Sequence, residues 1–468
     1  MNLTMLFRIL AGVVALGMLV VGIVLFGAGI LSEVLPPRLT VSTIDAGEFG
    51  NVAVTHTQAD ARGLVVLVTD EASLPTRDAD VTALARAGLI VVPLDWNDVR
   101  QKLTGPSVTD PCAYVSETLN NLARDVEREL RVERYFYPVI VGRGEAAAFA
   151  YVALAQAPVH TLGGAISIGF KPAIRSDIPY CLDPPLPAAV DGVFALPKPT
   201  APFTDAWRVI GPHRARGRIQ EFQSELDKAK FVPATTEHAV RSALVSNAVE
   251  LGRVRDRGAA GLPVSIIEPA GKAKALAVVI SGDGGWRDLD RQLGARLAER
   301  DVAVVGLDSL LYFWAKRQPR ELAADIGLLF DHYGRQFGVD RFILIGFSFG
   351  ADVIPGSWPF ISADIRDKVA LVSLLALGLT ADYEVSLEGF LSAGTSTGQP
   401  LPPLLAGLPL DRTQCIYGKD DAADGDSSCP AKELGEAQRI ALEGGHHFDQ
   451  NYAHLADLIL QRLEPAAP

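Results

Sequence analysis

Ser348 stands at the centre of Gly346-Phe347-Ser348-Phe349-Gly350, a G-x-S-x-G pattern, and the four residues before it, Phe342 to Ile345, are all apolar. A short buried strand running directly into this pattern is the signature of a nucleophile elbow. The two glycines are needed because a Cβ at either place would meet neighbouring backbone. The serine hydroxyl then projects above the sheet edge at a helix N-terminus. The Phe349 N–H faces the negative charge that develops when the hydroxyl attacks a carbonyl carbon. The chemistry to expect is acyl transfer through a serine ester.

Such a serine needs a base to take its proton and a carboxylate to hold that base in the right tautomer. Elbow hydrolases carry them in the order Ser, acid, His, so both lie after residue 348. Of the eight histidines only His446, His447 and His454 do. Gly444-Gly445-His446-His447-Phe448 reads as a glycine-lined turn before a final helix, Tyr452 to Leu463. His446 is the chosen base and His447 the alternative, while His454 falls inside the helix. For the acid, a strand from Thr413 to Tyr417 leads into Gly418-Lys419-Asp420-Asp421. Asp421, third after the glycine, is chosen over Asp420, with Asp382 a further candidate one strand earlier. The second oxyanion donor belongs to the loop Gly282-Asp283-Gly284-Gly285-Trp286, with Gly284 as its amide beside Phe349. Asp283 is assigned to a cationic group of the substrate. Trp286, Tyr312 and Trp314, all near strand ends, are assigned with Trp358 to an apolar cleft. This chemistry calls for no metal and no organic cofactor.

These residues need a sheet beneath them, and the chain supplies its pattern twice. Asn51 to Thr57, Leu64 to Thr69, a helix over Asp78 to Ala87 and Leu89 to Leu94 recur as Val264 to Ile267, Leu276 to Ser281, a helix over Leu289 to Arg300 and Val302 to Leu307. Strands alternating with helix-length segments indicate parallel βαβ units. In the first copy the strand Tyr137 to Val141 leads into Gly142-Arg143-Gly144-Glu145-Ala146, with glycine in the nucleophile's place. No carboxylate follows the strand ending at Gly211. One catalytic and one non-catalytic half are expected. Helices are read over Phe222 to Lys230 and Glu237 to Arg253, a linker over Gly258 to Pro263, and irregular chain over Lys171 to Pro202.

The chain has 43 basic and 55 acidic residues, net charge −12, and no Lys/Arg-rich run, which argues against a nucleic-acid partner. Ile9 to Leu31 carries no charge, and at about 1.5 Å per residue it is long enough for a bilayer core about 30 Å thick. It reads as an uncleaved anchor with the body outside the cytoplasm, or otherwise as a cleaved signal. The four cysteines suit an oxidising compartment. Two lie in each half, so Cys112 with Cys181 and Cys415 with Cys429 is the simplest pairing.

Four segments, SGDGGWRDLD (281–290), GLDSLLYFW (306–314), GFSFGADVIP (346–355) and GGHHFD (444–449), together resemble the bacterial virulence protein family VirJ. The two-copy layout behind a membrane segment resembles its long AcvB-type form. The resemblance implies an α/β chain of two tandem α/β-hydrolase-like domains behind an N-terminal transmembrane helix. Residues 1–35 form the anchor or signal, 36–257 the degenerate domain and 258–468 the catalytic one. It further implies a periplasmic enzyme on a Gram-negative inner membrane that hydrolyses aminoacylated phosphatidylglycerol, chiefly lysyl-phosphatidylglycerol, with Ser348 and His446 or His447 as motif residues. Its expected partner is a membrane phospholipid. Shorter relatives are associated with type IV secretion, which gives the other expectation: a non-catalytic periplasmic protein that contacts secretion-system proteins.

Overall fold

The computed structural model describes residues 37–58, 60–158, 161–198, 203, 205–223, 228–253, 258–385 and 398–463. The expected anchor, Ile9 to Leu31, lies outside them. Among the described residues no helix is long and apolar enough to cross a membrane.

The first sheet contains Leu39–Asp45 (β1), Asn51–Thr57 (β2), Leu64–Thr69 (β3), Ile90–Asp95 (β4), Val139–Arg143 (β5), Gly164–Ile168 (β6), Trp207–Gly211 (β7) and Ala229–Pro233 (β8). Their spatial order is β1-β2-β4-β3-β5-β6-β7-β8. The β1/β2 and β2/β4 pairs are antiparallel and the rest parallel. The second sheet contains Val264–Ile267 (β9), Ala275–Ile280 (β10), Val302–Leu307 (β11), Phe342–Phe347 (β12), Val369–Leu375 (β13), Thr413–Gly418 (β14) and Gln438–Leu442 (β15). Its order, β9-β11-β10-β12-β13-β14-β15, repeats that of β2 to β8, again with only the first strand antiparallel. Both sheets are α/β-hydrolase-like, mostly parallel and flanked by helices.

Parallel strands covered on both faces read as continuous apolar runs. β3 (LVVLVT) and β10 (ALAVVI) are such runs, buried at every position. The helix Pro319–Phe337 behind the second sheet starts with proline in its first turn and a reciprocal Gln318/Glu321 capping box, and stops at left-handed Gly338.

Two expectations are corrected. Of the helix read over Phe222 to Lys230, the described residues are the end of a helix, Arg216–Gln223, and the beginning of β8. Short stretches of mixed character carry no period to separate the two. Within the irregular region Lys171 to Pro202, Ala173–Arg175 pairs with Val193–Ala195 as a small ribbon. The two disulfides are Cys112–Cys181 and Cys415–Cys429.

Candidate active site

β12 delivers Ser348 to the sheet edge, and the helix Phe349–Ser357 starts immediately after it. Ser348 has φ 52° and ψ −121°, a conformation that L-residues rarely adopt and that persists only where the surroundings enforce it. They do so here. A Cβ on Gly346 would lie 2.4 Å from the Gly350 carbonyl oxygen, and one on Gly350 would lie 2.1 Å from that of Ile280.

β14 ends at Gly418, and the turn after β15 folds back against it so closely that a Cβ on Gly418 would lie 2.4 Å from the Gly445 carbonyl oxygen. This close approach sets His446 between the elbow and the acid loop. His446 Nε2 is 2.8 Å from Ser348 Oγ, and His446 Nδ1 is 3.3 Å from Asp421 Oδ2. The imidazole remains about half exposed while Asp421 is largely covered. The Cys415–Cys429 bridge closes the loop that carries Asp421, and the Asp426 N–H donates to the Asp421 carbonyl at 2.8 Å.

The other candidates lie elsewhere. The His447 ring lies tilted beside Phe347, with centroids 5.9 Å apart. Asp420 donates its N–H to Gly444 O at 3.1 Å. Asp382 accepts the N–H of Tyr383, and His454 sits in the last helix.

In the loop Gly282-Asp283-Gly284-Gly285 the residue against Ser348 is Gly282, where a Cβ would lie 3.8 Å from that of Ser348. Burial raises the Asp283 carboxyl above the usual carboxylate range, while the charges of Arg124 and His446 act against that rise. Sequence analysis gave no role to Asp352, which accepts the Gly378 N–H at 2.8 Å. Burial pushes its carboxyl up to about 8; the Gly378 N–H opposes this and the Asp283 charge adds to it.

The aromatic cleft is overturned. The Trp286 indole lies on β11, where a Cβ on Gly306 would be 2.2 Å from it. Tyr312 is buried with its hydroxyl on Asp325, and Trp358 is buried as well. Trp314 donates to Val132 O at 2.8 Å beneath the Arg128 guanidinium, so it joins the two halves. Glu384 is paired with Arg128 at 3.5 Å. A cavity of about 910 Å³ bordered by His56, Arg62, Arg131 and Arg134 belongs to the first half, away from Ser348. No group of three or more His, Cys, Asp or Glu among the described residues is placed to hold a metal ion.

Fold and elbow place the second half in the α/β-hydrolase class. Residues 274–467 match the family model of the bacterial virulence protein (VirJ), in agreement with the motif resemblance over that half. No curated protein matches. Among solved structures, the thioesterase domain from the curacin biosynthetic pathway is 16% identical, covering 43% of this chain and 97% of its own, with TM-score 0.29. Est1E from Butyrivibrio proteoclasticus with bound ferulic acid is 14% identical, covering 44% of this chain and 96% of its own, with TM-score 0.30. TT1662 from Thermus thermophilus is 18% identical, covering 46% of this chain and 99% of its own, with TM-score 0.33.

Proposed function

We propose that the protein is a serine hydrolase that cleaves the aminoacyl ester of aminoacyl-phosphatidylglycerol, with lysyl-phosphatidylglycerol as its preferred substrate. The observation that carries the hydrolase reading is the continuous chain Ser348–His446–Asp421, at 2.8 and 3.3 Å, on a left-handed elbow residue. In this reading His446 is neutral, with its Nδ1 proton toward Asp421 and Nε2 accepting from Ser348. Ser348 Oγ attacks the aminoacyl carbonyl as its proton passes to His446. The oxyanion is held by the Phe349 N–H and by backbone N–H from the loop around Gly282. Collapse breaks the ester bond, and His446 returns the proton to the leaving glycerol oxygen. Water, activated by the same imidazole, then releases the free amino acid and restores Ser348.

The substrate rests on the VirJ and AcvB resemblance. Charge supports it: an ammonium of the aminoacyl group meets the Asp283 carboxylate beside the nucleophile. We place the enzyme in the periplasm, held at the inner membrane by residues 9–31 or released if that segment is cleaved; the two disulfides suit that compartment. Residues 36–257 act as the non-catalytic domain and 258–468 as the catalytic one.

The test is stoichiometric labelling by a fluorophosphonate probe, abolished in Ser348→Ala, together with lysine release from lysyl-phosphatidylglycerol vesicles. Labelling without lysine release overturns the substrate and keeps the hydrolase. No labelling overturns both and leaves the interaction role.

A further inference from the structure

The loop Gly282-Asp283-Gly284-Gly285 that faces Ser348 is rich in glycine, so its backbone loses much freedom on being ordered and needs contacts to hold it. Its own turn bond, Gly285 N–H to Gly282 O at 3.0 Å, is local. The stronger restraints lie at its exit and lead to the other half of the molecule. The Trp286 N–H donates at 3.1 Å to Asp308 Oδ2, which also accepts the hydroxyl of Tyr137 at 2.9 Å. Arg287 reaches Glu117 Oε2 at 3.1 Å. Tyr137 leads into β5, and Glu117 lies on the helix Ser116–Glu129, both in the non-catalytic half. Asp308 is buried, so losing a donor there leaves a carboxylate under-satisfied and shifts what it holds.

We propose that the non-catalytic half is a working part of the active site: Tyr137 and Glu117 are positioning residues that hold the Gly282–Arg287 loop where its amides meet the oxyanion. This rests on the hydrolase reading above. The Arg124 charge, from the same helix as Glu117, acts on Asp283 within that loop and adds to the hold. A restraint of this kind acts on the transition state more than on substrate binding, since the oxyanion forms only after attack.

The experiment uses the full chain, a p-nitrophenyl acyl ester as probe substrate, and Tyr137→Phe, Glu117→Gln and Arg143→Met. The last breaks an ion cluster within the first half that touches neither the loop nor Asp308. Small misplacements of catalytic groups cost up to about 100-fold, so Tyr137→Phe is expected to lower kcat roughly tenfold and Glu117→Gln roughly threefold, with KM changed less than about twofold. Arg143→Met is expected to lower Tm without lowering kcat. Glu117→Asp, which keeps the charge for Arg287, is expected to recover part of the loss.

Unchanged kcat in both Tyr137→Phe and Glu117→Gln, or a loss carried wholly by KM, overturns the inference. So does an equal kcat loss in Arg143→Met, which would mean that any weakening of the first half has this effect. Failure of the fluorophosphonate to label Ser348 in the wild type overturns the hydrolase reading itself, and this inference with it.

Discussion

The molecule contains the same elbow twice, once with a serine and once without. β5 and β12 both have as their penultimate residue a glycine that a Cβ could not replace: at Gly142 it would lie 1.9 Å from the Ala146 carbonyl oxygen, just as Gly346 is pressed against Gly350. Gly144 has φ 69° where Ser348 has 52°. The strand register puts Asp70 in the place of Gly282, and both open the same turn, with Ser73 N–H on Asp70 O and Gly285 N–H on Gly282 O, each at 3.0 Å. The difference lies in what fills the space above the turn. In the first copy the Asp70 carboxylate accepts the Glu145 N–H at 2.8 Å, which is the counterpart of the Phe349 N–H. A fixed carboxylate therefore sits where an oxyanion would form. Arg143, in the place of Phe347, is tied to Asp80 at 2.6 Å and to Glu237, while Arg241 holds the other oxygen of Asp80 at 2.8 Å. The first elbow is a filled structural joint, and the second is open.

Removing the serine tests the contrast most directly. Ser348→Ala should lower turnover by roughly 10⁴-fold or more and leave the fold intact, measured as ester hydrolysis alongside circular dichroism. Asp421→Asn should cost roughly 10³- to 10⁴-fold, because the amide no longer holds the Nδ1 proton of His446; burst kinetics with the probe ester check this.

Gly144→Ser asks whether a serine alone revives the first copy. It should not, because its Cβ would lie 2.1 Å from Asp70 Oδ2. The expected result is a loss of about 2–4 kcal/mol in urea unfolding. In the Ser348→Ala background no new fluorophosphonate label should appear.

The smallest effect concerns Asp352, which has no acidic counterpart in the first elbow, where Ala148 and its neighbours are apolar. Its folded pKa of about 8 lies above the unfolded carboxylate value, so the folded state holds the proton more tightly. That stabilisation is full below the unfolded pKa and is lost as pH rises through about 8. Asp352→Asn keeps an acceptor for Gly378 and removes the titration. Its urea midpoint should therefore fall less than that of the wild type between pH 5 and pH 8.

Much of the site was legible because its signals are local. The elbow needs its glycines within a few residues of Ser348, and the base needs the glycine-lined turn that lets Gly445 lie against Gly418. The aromatic cleft misled because Trp286, Tyr312 and Trp314 follow strand ends, a place equally suited to packing on the sheet; Gly306, which makes room for the indole, is what separates the two uses. Gly282 and Gly284 look alike in sequence, and only the packed structure shows that Gly282 lies against Ser348.

By itself the sequence determined the G-x-S-x-G elbow, the order of the candidate residues and the repeated strand pattern, since strand period, glycine placement and motif spacing are properties of neighbouring residues. The tertiary structure decided which of His446 and His447 meets Ser348, which of Asp420 and Asp421 meets that histidine, and how Asp70 and Arg143 close the first elbow. It also decided that Tyr137 reaches Asp308 in the other half. These are contacts between segments distant along the chain, and only the packed sheets bring them within hydrogen-bonding distance.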